Sequence, residues 1–363
     1  MARPDPQPIA PTSRPRARGA LSNRAGRFDL ARERADDGWT TEPPAGPGPR
    51  AQLSDEQAKS AITYNRSPDL PFDRSINPYR GCEHGCVYCF ARPSHAWLGL
   101  SPGLDFETRL IARPNMAEVL ARELRARSYQ VAPLAIGTNT DPYQPVERDR
   151  GIMRACLEVL AAFNHPVAIV TKGTLIERDL DILAPMAARG LVRVGVSVTT
   201  LDPALCRRME PRAPAPARRL ETIRRLTGAG VPVRIMASPM VPALTDPELE
   251  AILAAGAEAG ADAASWIMLR LPREVSELWQ EWLAEHYPGR AGRVMARLRE
   301  MHGGKEYDAS WGRRMRGEGH YAALVAQRFR LAARRLGLDR PQPPLRCDLF
   351  APPARAGDQL SLF

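Results

Sequence analysis

From residue 75 to residue 271, short runs of apolar, β-branched residues alternate with longer stretches whose apolar residues recur at helical spacing. This alternation is typical of βα units, in which parallel strands are buried on both faces. Six strands are predicted, at residues 75–81, 134–139, 167–173, 192–200, 231–240 and 263–271. Five helices are predicted, at residues 114–128, 145–163, 175–189, 215–229 and 246–259. Six successive units predict an α/β fold, a complete or partial (β/α)6 TIM-like barrel with its chemistry at the C-terminal ends of the strands.

Composition divides the chain into four parts around this barrel, which is predicted over residues 66–275. Residues 1–65 are a mostly disordered, basic, Pro-rich arm, since nine prolines fall in the first 50 residues and the apolar residues have no period. We expect part of the arm, which contains the run 18–23 and Trp39, to lie over the body. Residues 276–337 are a basic helical extension, and residues 338–363 are a flexible, proline-rich tail.

The overall composition excludes several classes of protein. Of 363 residues, 44% are hydrophobic, but no run approaches the length of a membrane span and no secretory signal precedes the arm. Six cysteines without such a signal indicate the reducing cytosol, so we expect a cytoplasmic protein with no membrane partner. The net charge is +10, with lysine only at positions 59, 172 and 305. Because this arginine bias also arises from genomic base composition, it does not by itself indicate nucleic-acid binding.

Three cysteines lie close together in a short loop directly after the first predicted strand: Cys82, Cys86 and Cys89. Structural zinc normally takes four protein ligands, and the remaining cysteines lie singly and far away in the sequence. His84 lies between Cys82 and Cys86 in the sequence, so binding the same zinc ion as these two residues would strain the loop. Three thiolates suit a [4Fe–4S] cluster that leaves one iron open. The alternative is an isolated metal or redox cluster of cysteines.

The spacing Cys-x3-Cys-x2-Cys, with an aromatic residue before the third cysteine, resembles the radical S-adenosylmethionine (SAM) enzymes. The flanking sequences SINPYRG at 75–81 and GTNTDPYQP at 137–145 resemble the bacterial branch related to spore photoproduct lyase. The resemblance implies a [4Fe–4S] cluster on the three cysteines, with SAM as the second cofactor. One electron, from a donor such as flavodoxin or ferredoxin, would cleave the sulfonium C5′–S bond, and the resulting 5′-deoxyadenosyl radical would abstract hydrogen from a substrate.

The resemblance also implies that polar residues after the second strand contact the methionine amine of SAM. These residues are Thr138, Asn139, Thr140 and Asp141. The Gly-Gly-Glu sequence of other branches is absent, so the individual roles are not fixed. Each residue has an alternative role as a helix cap or a loop anchor.

Further cofactor contacts are implied at the later strands. Ser197 and Thr199 end strand four, where the family contacts the ribose, while Phe90, Arg234 and Ser238 are candidate neighbours of adenosine or substrate. The same two alternatives, cap or loop anchor, apply to the polar residues among them.

Lys172 ends strand three and is a lysine in a chain that uses arginine almost everywhere else. It would contact the cofactor carboxylate or an anionic substrate. The alternative is a solvated strand end.

The sequence ends in Gln-Leu-Ser-Leu-Phe, which resembles the peptide by which bacterial replication and repair proteins dock into the sliding clamp. The implied contacts are the amide of Gln359 and the apolar side chains of Leu360, Leu362 and Phe363. A chance match of five residues is the alternative.

The basic extension contains a candidate nucleic-acid surface. Residues 287–336 hold twelve Arg and Lys against four Asp and Glu, and Arg313, Arg314 and Arg316 cluster near an aromatic residue, Trp311. Arginine with interleaved aromatics suits phosphates and unstacked bases, although a solvated helix face is the alternative. We therefore expect a radical SAM enzyme that acts on damaged or modified DNA. The alternatives are the same chemistry on RNA, protein or a small molecule, and a clamp-associated nucleic-acid-binding module with a structural cluster.

Overall fold

The computed structural model describes residues 17–28 and 51–354. The strands in these residues are β1 (Gln52–Asp55), β2 (Thr63–Tyr64), β3 (Arg74–Ile76), β4 (Tyr79–Arg80), β5 (Arg109–Ala112), β6 (Leu134–Ile136), β7 (Val167–Thr171), β8 (Val192–Ser197), β9 (Val233–Met240) and β10 (Ala263–Met268). The α-helices are α1 (Asp105–Thr108), α2 (Met116–Leu124), α3 (Glu147–Arg150), α4 (Ile152–Ala162), α5 (Leu180–Ala188), α6 (Pro203–Met209), α7 (Pro216–Gly228), α8 (Leu249–Glu258), α9 (Glu274–His286), α10 (Pro288–Met301) and α11 (Gly319–Arg335).

The main sheet has the strand order β10-β9-β8-β7-β6-β3-β2. All neighbouring strands are parallel except the short β2, which runs antiparallel to β3. The six parallel strands are the six predicted from the sequence, and they lie side by side in sequence order. In the described part of the chain β10 does not pair with β2 or β3, so the α/β barrel is partial and open on one side.

The core lies on both faces of the parallel strands. Val192, Val194 and Val196 share one face of β8 and are at most 1% exposed, and Gly195 and Ser197 on the opposite face are also buried. The predicted helix 145–163 is divided into α3 and α4 at Gly151, whose φ of +64° ends the first helix. The predicted helix 175–189 begins as the 3₁₀ helix Thr174–Asp179 before α5.

The predicted strands were too long at their C-terminal ends. The strands end at residues 136, 171, 197 and 268, whereas the predicted strands continued two or three residues further, through residues such as Thr138, Asn139 and Lys172. These extra residues leave the sheet and form the loops at the mouth of the barrel. The polar residues singled out there therefore lie on loops rather than within strands.

A second, three-stranded sheet was not predicted. Its order is β1-β5-β4, with β1 parallel and β4 antiparallel to β5. Its strand β4 ends at Arg80, directly before the cysteine loop, so this small sheet fixes the entry into that loop.

The C-terminal extension covers the outer edge of β10. The Ala264 amide donates to the Leu338 carbonyl at 3.1 Å, and the Met268 amide donates to the Met315 carbonyl at 2.9 Å. An edge strand with its amides satisfied in this way does not offer a ladder to other chains. None of the helices in the described ranges is long and apolar enough to cross a membrane.

Two segments expected to be disordered or flexible pack on the barrel where they are described. Residues 17–28, here called the N-terminal strap, lie against the cysteine loop and α9. Residues 338–354 follow the outside of the barrel, where the Ala351 amide donates to the Phe163 carbonyl at 3.0 Å. The Phe350 ring lies 5.4 Å from the His165 ring, and this aromatic contact holds the segment in place.

Candidate active site

The three clustered cysteines lie on a loop folded back on itself by two turns. The Gly85 amide donates to the Cys82 carbonyl at 3.3 Å, and the Cys89 amide donates to the Cys86 carbonyl at 3.2 Å. The Cys82 amide donates to the Phe106 carbonyl at 2.9 Å, which fixes the start of the loop. The backbone therefore presents three thiols from one short, anchored segment.

A buried ion pair that the sequence analysis missed supports this loop. Arg92 and Glu107 are both 0% exposed, and their side chains are 2.5 Å apart. The Arg92 guanidinium also donates to the carbonyls of Cys86 at 2.9 Å and Gly85 at 3.3 Å. A buried charge needs such a full set of partners, so the pair and the loop geometry depend on each other.

The N-terminal strap is held by the same carboxylate. Glu107 accepts from the backbone amides of Gly19 at 3.0 Å and Ala20 at 2.8 Å. A Cβ atom at Gly19 would lie 1.7 Å from the Gly85 carbonyl oxygen, so only glycine permits this approach. The strap thus lies directly over the backbone of the cysteine loop.

The surroundings of the three thiols are consistent with a bound iron–sulfur cluster. Burial raises the pKa of Cys82, Cys86 and Cys89, that of Cys86 to about 12. Thiolates here need compensating positive charge, which the iron of a cluster supplies on binding. Within residues 17–28 and 51–354, no three Cys, His, Asp or Glu side chains converge closely enough to hold one metal ion. Ligands of a cube each bind a different iron and need not converge on one point.

Asp141 joins the cysteine loop to the end of β7. Its carboxylate accepts from the Thr171 hydroxyl at 2.6 Å and the Lys172 amide at 2.7 Å, and it lies 3.3 Å from Nδ1 of His84. Burial alone would raise the pKa of Asp141, but the His84 charge and these hydrogen bonds hold it well below its usual range. Because both oxygens are already engaged, the geometry favours the loop-anchor alternative over a contact to the cofactor amine.

Lys172 is directed into the site and is not a solvated strand end. Its Nζ lies 5.9 Å from the centre of the Tyr88 ring, and its side chain is only partly exposed. Burial lowers the pKa of Lys172, but the neighbouring Cys86 and Glu210 outweigh this effect and raise it. A cation is therefore held beside the thiol of Cys86, at the edge of the predicted cluster site.

Two predicted ribose contacts lie in a buried network. The Thr199 hydroxyl donates to Glu210 at 2.7 Å, and the Ser197 carbonyl accepts from Arg219 at 3.1 Å. Glu210 also accepts from the Tyr88 hydroxyl and from the Arg219 guanidinium. The Thr199 hydroxyl is thus committed to the protein, whereas Ser197 uses only its backbone in these contacts.

Glu210 is the centre of this network and was not predicted. It is 0% exposed, and burial alone would raise its pKa, but Arg219 and Lys172 lower it to about 2. A carboxyl with a depressed pKa stabilises the fold above its ordinary pKa and loses that effect as the pH falls towards 2. Glu210 ends α6 in a charged sequence that reads as a solvated helix face, so the local pattern gives no sign of its burial.

The other strand-end residues divide into partnered and unpartnered groups. The Thr140 hydroxyl donates to the Tyr79 carbonyl at 3.0 Å, while Thr138 and Asn139 are partly exposed at the mouth. Among the described residues, Oγ of Ser238 and Oδ1 of Asn77 are buried without a hydrogen-bond partner. Buried orphan atoms at the mouth of the barrel fit the polar groups of a nucleoside cofactor.

Two further predicted residues lie in different surroundings. Phe90 is 44% exposed, and the Arg270 guanidinium lies 4.7 Å from its ring centre. The prediction for Arg234 was wrong, because it is the second residue of β9 and lies beside Arg193 and Asp262. That position is at the end of the strands opposite to the mouth.

The three arginines predicted to contact nucleic acid, Arg313, Arg314 and Arg316, lie close together in turns, and the first two are in ion pairs. Arg314 is 2.6 Å from Asp69, and Arg313 is 2.6 Å from Glu318. The Arg316 guanidinium lies 5.3 Å from the Trp266 ring. The C-terminal peptide with Gln359, Leu360, Leu362 and Phe363 lies outside the described residues.

A partial α/β barrel with three thiols on a loop at its mouth, beside a partly exposed lysine and buried, unpartnered polar atoms, fits an enzyme that holds a metal cluster and a second cofactor. The profile of the radical SAM superfamily matches residues 76–255. The chain belongs to this superfamily, whose members use a [4Fe–4S] cluster and SAM, and it is therefore an enzyme of the radical SAM type.

Similar proteins cover most of the chain. An uncharacterised protein of Mycobacterium tuberculosis is 39% identical over 291 residues, which are 79% of this chain and 82% of the relative. An uncharacterised protein of Methanocaldococcus jannaschii is 24% identical over 193 residues, or 53% and 69% of the two chains. Spore photoproduct lyase complexed with a dinucleoside spore photoproduct is 16% identical, with a TM-score of 0.57 over 78% of this chain and 79% of that chain. At that identity the likeness shows a shared fold.

Replacing Cys82, Cys86 or Cys89 with alanine should abolish the absorbance of the anaerobically reconstituted cluster near ~400 nm, because each thiolate holds a different iron. Absorbance and iron content are the measurements. Alanine at the distant Cys156 or Cys347 is the control and should leave both unchanged. Loss of the cluster on changing Cys347 would contradict this ligand set.

Replacing Glu210 with alanine should lower the free energy of unfolding by about 3–5 kcal/mol, because the fully buried Arg219 would lose its carboxylate. Urea unfolding followed by far-ultraviolet circular dichroism measures the change. Glu221→Ala is the matched control, since Glu221 pairs with an exposed Arg225 on α7 and its loss should cost far less. Equal losses in the two variants would argue against a buried Glu210 pair.

Proposed function

We propose that this enzyme abstracts hydrogen from a nucleotide in damaged or modified DNA. The observation that carries the proposal is the position of the three-thiol loop at the mouth of a barrel that is open on one side. An open mouth leaves room for part of a polymer beside the cluster. The net charge of +10 favours a polyanionic substrate, and a protein of the same fold has been solved with a dinucleoside photoproduct.

Bound together, the cluster and SAM supply one-electron cleavage of the cofactor's sulfonium bond and the hydrogen abstraction that follows. Cys82, Cys86 and Cys89 would hold the cluster. Lys172, beside Cys86, would bind the carboxylate of SAM through its ammonium. Ser238 would use its unpartnered hydroxyl towards the nucleoside part of the cofactor. The N-terminal strap covers the backbone of the cysteine loop and limits the access of water to it.

The alternatives concern the substrate and the class of protein. The same chemistry on RNA, a protein or a small molecule uses the same cluster site, and only turnover separates these substrates from DNA. A nucleic-acid-binding module with a structural cluster is less well supported, since the superfamily is one of SAM-dependent enzymes.

Three further parts of the proposal concern the binding partners of the enzyme. Radical SAM enzymes use an electron donor, and we propose a flavodoxin or a ferredoxin in the cytoplasm. The C-terminal peptide, residues 359–363, is proposed to bind the bacterial sliding clamp, which would bring the enzyme to DNA. The basic turn with Arg313 and Arg316 stays a candidate surface for the DNA backbone outside the mouth.

Replacing Lys172 with methionine should weaken SAM binding about 10- to 100-fold, because a hydrogen bond to a charged group is lost. Equilibrium binding to the cluster-loaded protein without reductant measures the affinity apart from turnover. Lys305→Met is the matched control, since Lys305 is an exposed lysine on the loop after α10. Unchanged affinity for SAM in Lys172→Met would contradict the assigned role.

The substrate class is tested by anaerobic turnover of the full-length enzyme with reductant and SAM. We expect 5′-deoxyadenosine to form faster with ultraviolet-damaged DNA than with undamaged DNA or transfer RNA. If the damaged DNA carries deuterium on its thymines, the 5′-deoxyadenosine should gain deuterium. Stimulation by transfer RNA alone would refute DNA as the substrate, and a complete absence of 5′-deoxyadenosine would argue against the proposed chemistry.

A further inference from the structure

A cleft of about 280 Å³ opens at the mouth of the barrel, between the cysteine loop and the start of α9. The residues that matter to its chemistry are Arg27, Phe90, Trp97, Asn139, Arg270 and Arg273. Phe90 follows the third cysteine directly, and Asn139 follows β6. One end of the cleft therefore adjoins the cluster and cofactor site, and the other end is open to solvent.

Solvent-exposed aromatic rings lie in and beside the cleft. Trp97 is 70% exposed and Phe90 is 44% exposed. Phe28 from the N-terminal strap is 50% exposed, and its ring centre lies 4.6 Å from that of Trp97. Large aromatic side chains grouped at the rim of a cleft are typical of a binding surface.

The cleft also carries two arginines that form no ion pair within the described residues. Among the described residues, no carboxylate forms an ion pair with Arg270 or Arg273, and the buried Nε of Arg270 has no hydrogen-bond partner. By contrast, Arg27 at the rim is paired with Glu274 at 3.1 Å. The Arg270 guanidinium instead lies over the Phe90 ring at 4.7 Å, and it donates to the Tyr307 hydroxyl at 3.2 Å and to the Met315 sulfur at 3.7 Å. The cleft thus combines aromatic faces with guanidinium groups that have no carboxylate partner in the described residues.

We propose that this cleft binds an unstacked nucleotide of single-stranded or locally opened DNA. The base would stack on Trp97 and Phe90, and the adjoining phosphates would pair with Arg270 and Arg273. The positive charge of the arginines favours a polyanion. The exposed rings favour a polyanion whose charges are separated by flat groups, as the bases of DNA are. The proposal rests on the proposed function for the reaction that follows, but the binding itself needs neither SAM nor reductant.

The N-terminal strap completes this surface. Its Arg24 lies 2.5 Å from both Glu277 and Glu281 of α9, and its Arg27 pairs with Glu274. These ion pairs hold Phe28 beside Trp97. The strap therefore contributes to the rim of the cleft as well as covering the cysteine loop.

The test is the binding of a fluorescein-labelled single-stranded oligodeoxynucleotide to the full-length, cluster-loaded protein, followed by fluorescence anisotropy at several salt concentrations. Trp97→Ala should weaken binding about 5- to 150-fold, the effect of removing one base-stacking platform. Arg273→Gly should weaken it and reduce the salt slope by about one. Glycine suits position 273 because its φ is +54°, so this change removes the guanidinium without adding backbone strain.

Matched controls separate the cleft from general effects of charge. Arg127→Ala removes an exposed arginine beyond the end of α2 and should leave affinity and salt slope nearly unchanged. Cluster absorbance and the unfolding transition should be unchanged in each variant, since Trp97 and Arg273 are exposed. Unchanged oligonucleotide affinity in both cleft variants would overturn the proposal. Loss of affinity only in an Arg313→Ala, Arg316→Ala double variant would assign binding to the basic extension instead.

The binding experiment and the turnover experiment can fail independently, so they test the cleft and the proposed DNA substrate separately. If damaged DNA stimulates turnover but both cleft variants bind the oligonucleotide normally, the cleft proposal fails and the DNA substrate stands. If the cleft variants lose affinity but no DNA stimulates turnover, the cleft stands as a DNA-binding site and the proposed substrate fails. If the wild-type protein does not bind the oligonucleotide, the cleft proposal fails.

Discussion

The buried carboxylate of Glu107 connects three parts of the chain on which the site depends. It pairs with Arg92, which supports the carbonyls of the cysteine loop, and it accepts the backbone amides of the N-terminal strap. A charge with no solvent exposure is tolerated only when all of its partners are in place. These contacts support the loop in a shape with two turns that presents three thiols. A cluster bound there would supply the positive charge that the thiolates need.

The sequence predicted the parts of the fold that depend on local pattern. Six apolar runs of β-branched residues gave six parallel strands, because such runs are stable only when buried on both faces. The small sheet β1-β5-β4 was missed, since its strands are short and pair across long stretches of chain. Four strand ends were misplaced because the residue pattern does not show where the backbone leaves the hydrogen-bonded ladder. Phe350 fixes a tail whose composition is that of a loop, through rings that are remote in sequence.

The sequence allowed the chemistry of the site to be predicted, but it did not show which charged residues are buried in ion pairs. The cysteine spacing and the isolated Lys172 were visible as residue types at the ends of strands. Glu107, Arg92 and Glu210 were not, because a charged residue in a helical or loop pattern reads as solvent-exposed until its partner is known. Asp141 was visible, but its carboxylate already accepts several hydrogen bonds within the protein.

Many arginines of the described residues have acidic partners, and this changes how the net positive charge should be interpreted. Residues 287–336 of the basic extension hold twelve Arg and Lys against four Asp and Glu, yet Arg314 is paired with Asp69 and Arg313 with Glu318. A paired guanidinium offers little to a phosphate, because binding would first cost the existing ion pair. Within the described residues Arg270 and Arg273 have no such pair, and they lie beside exposed rings at the mouth. Positive charge without a carboxylate partner is therefore available to a substrate where the strap, the cysteine loop and α9 meet, next to the proposed cluster site.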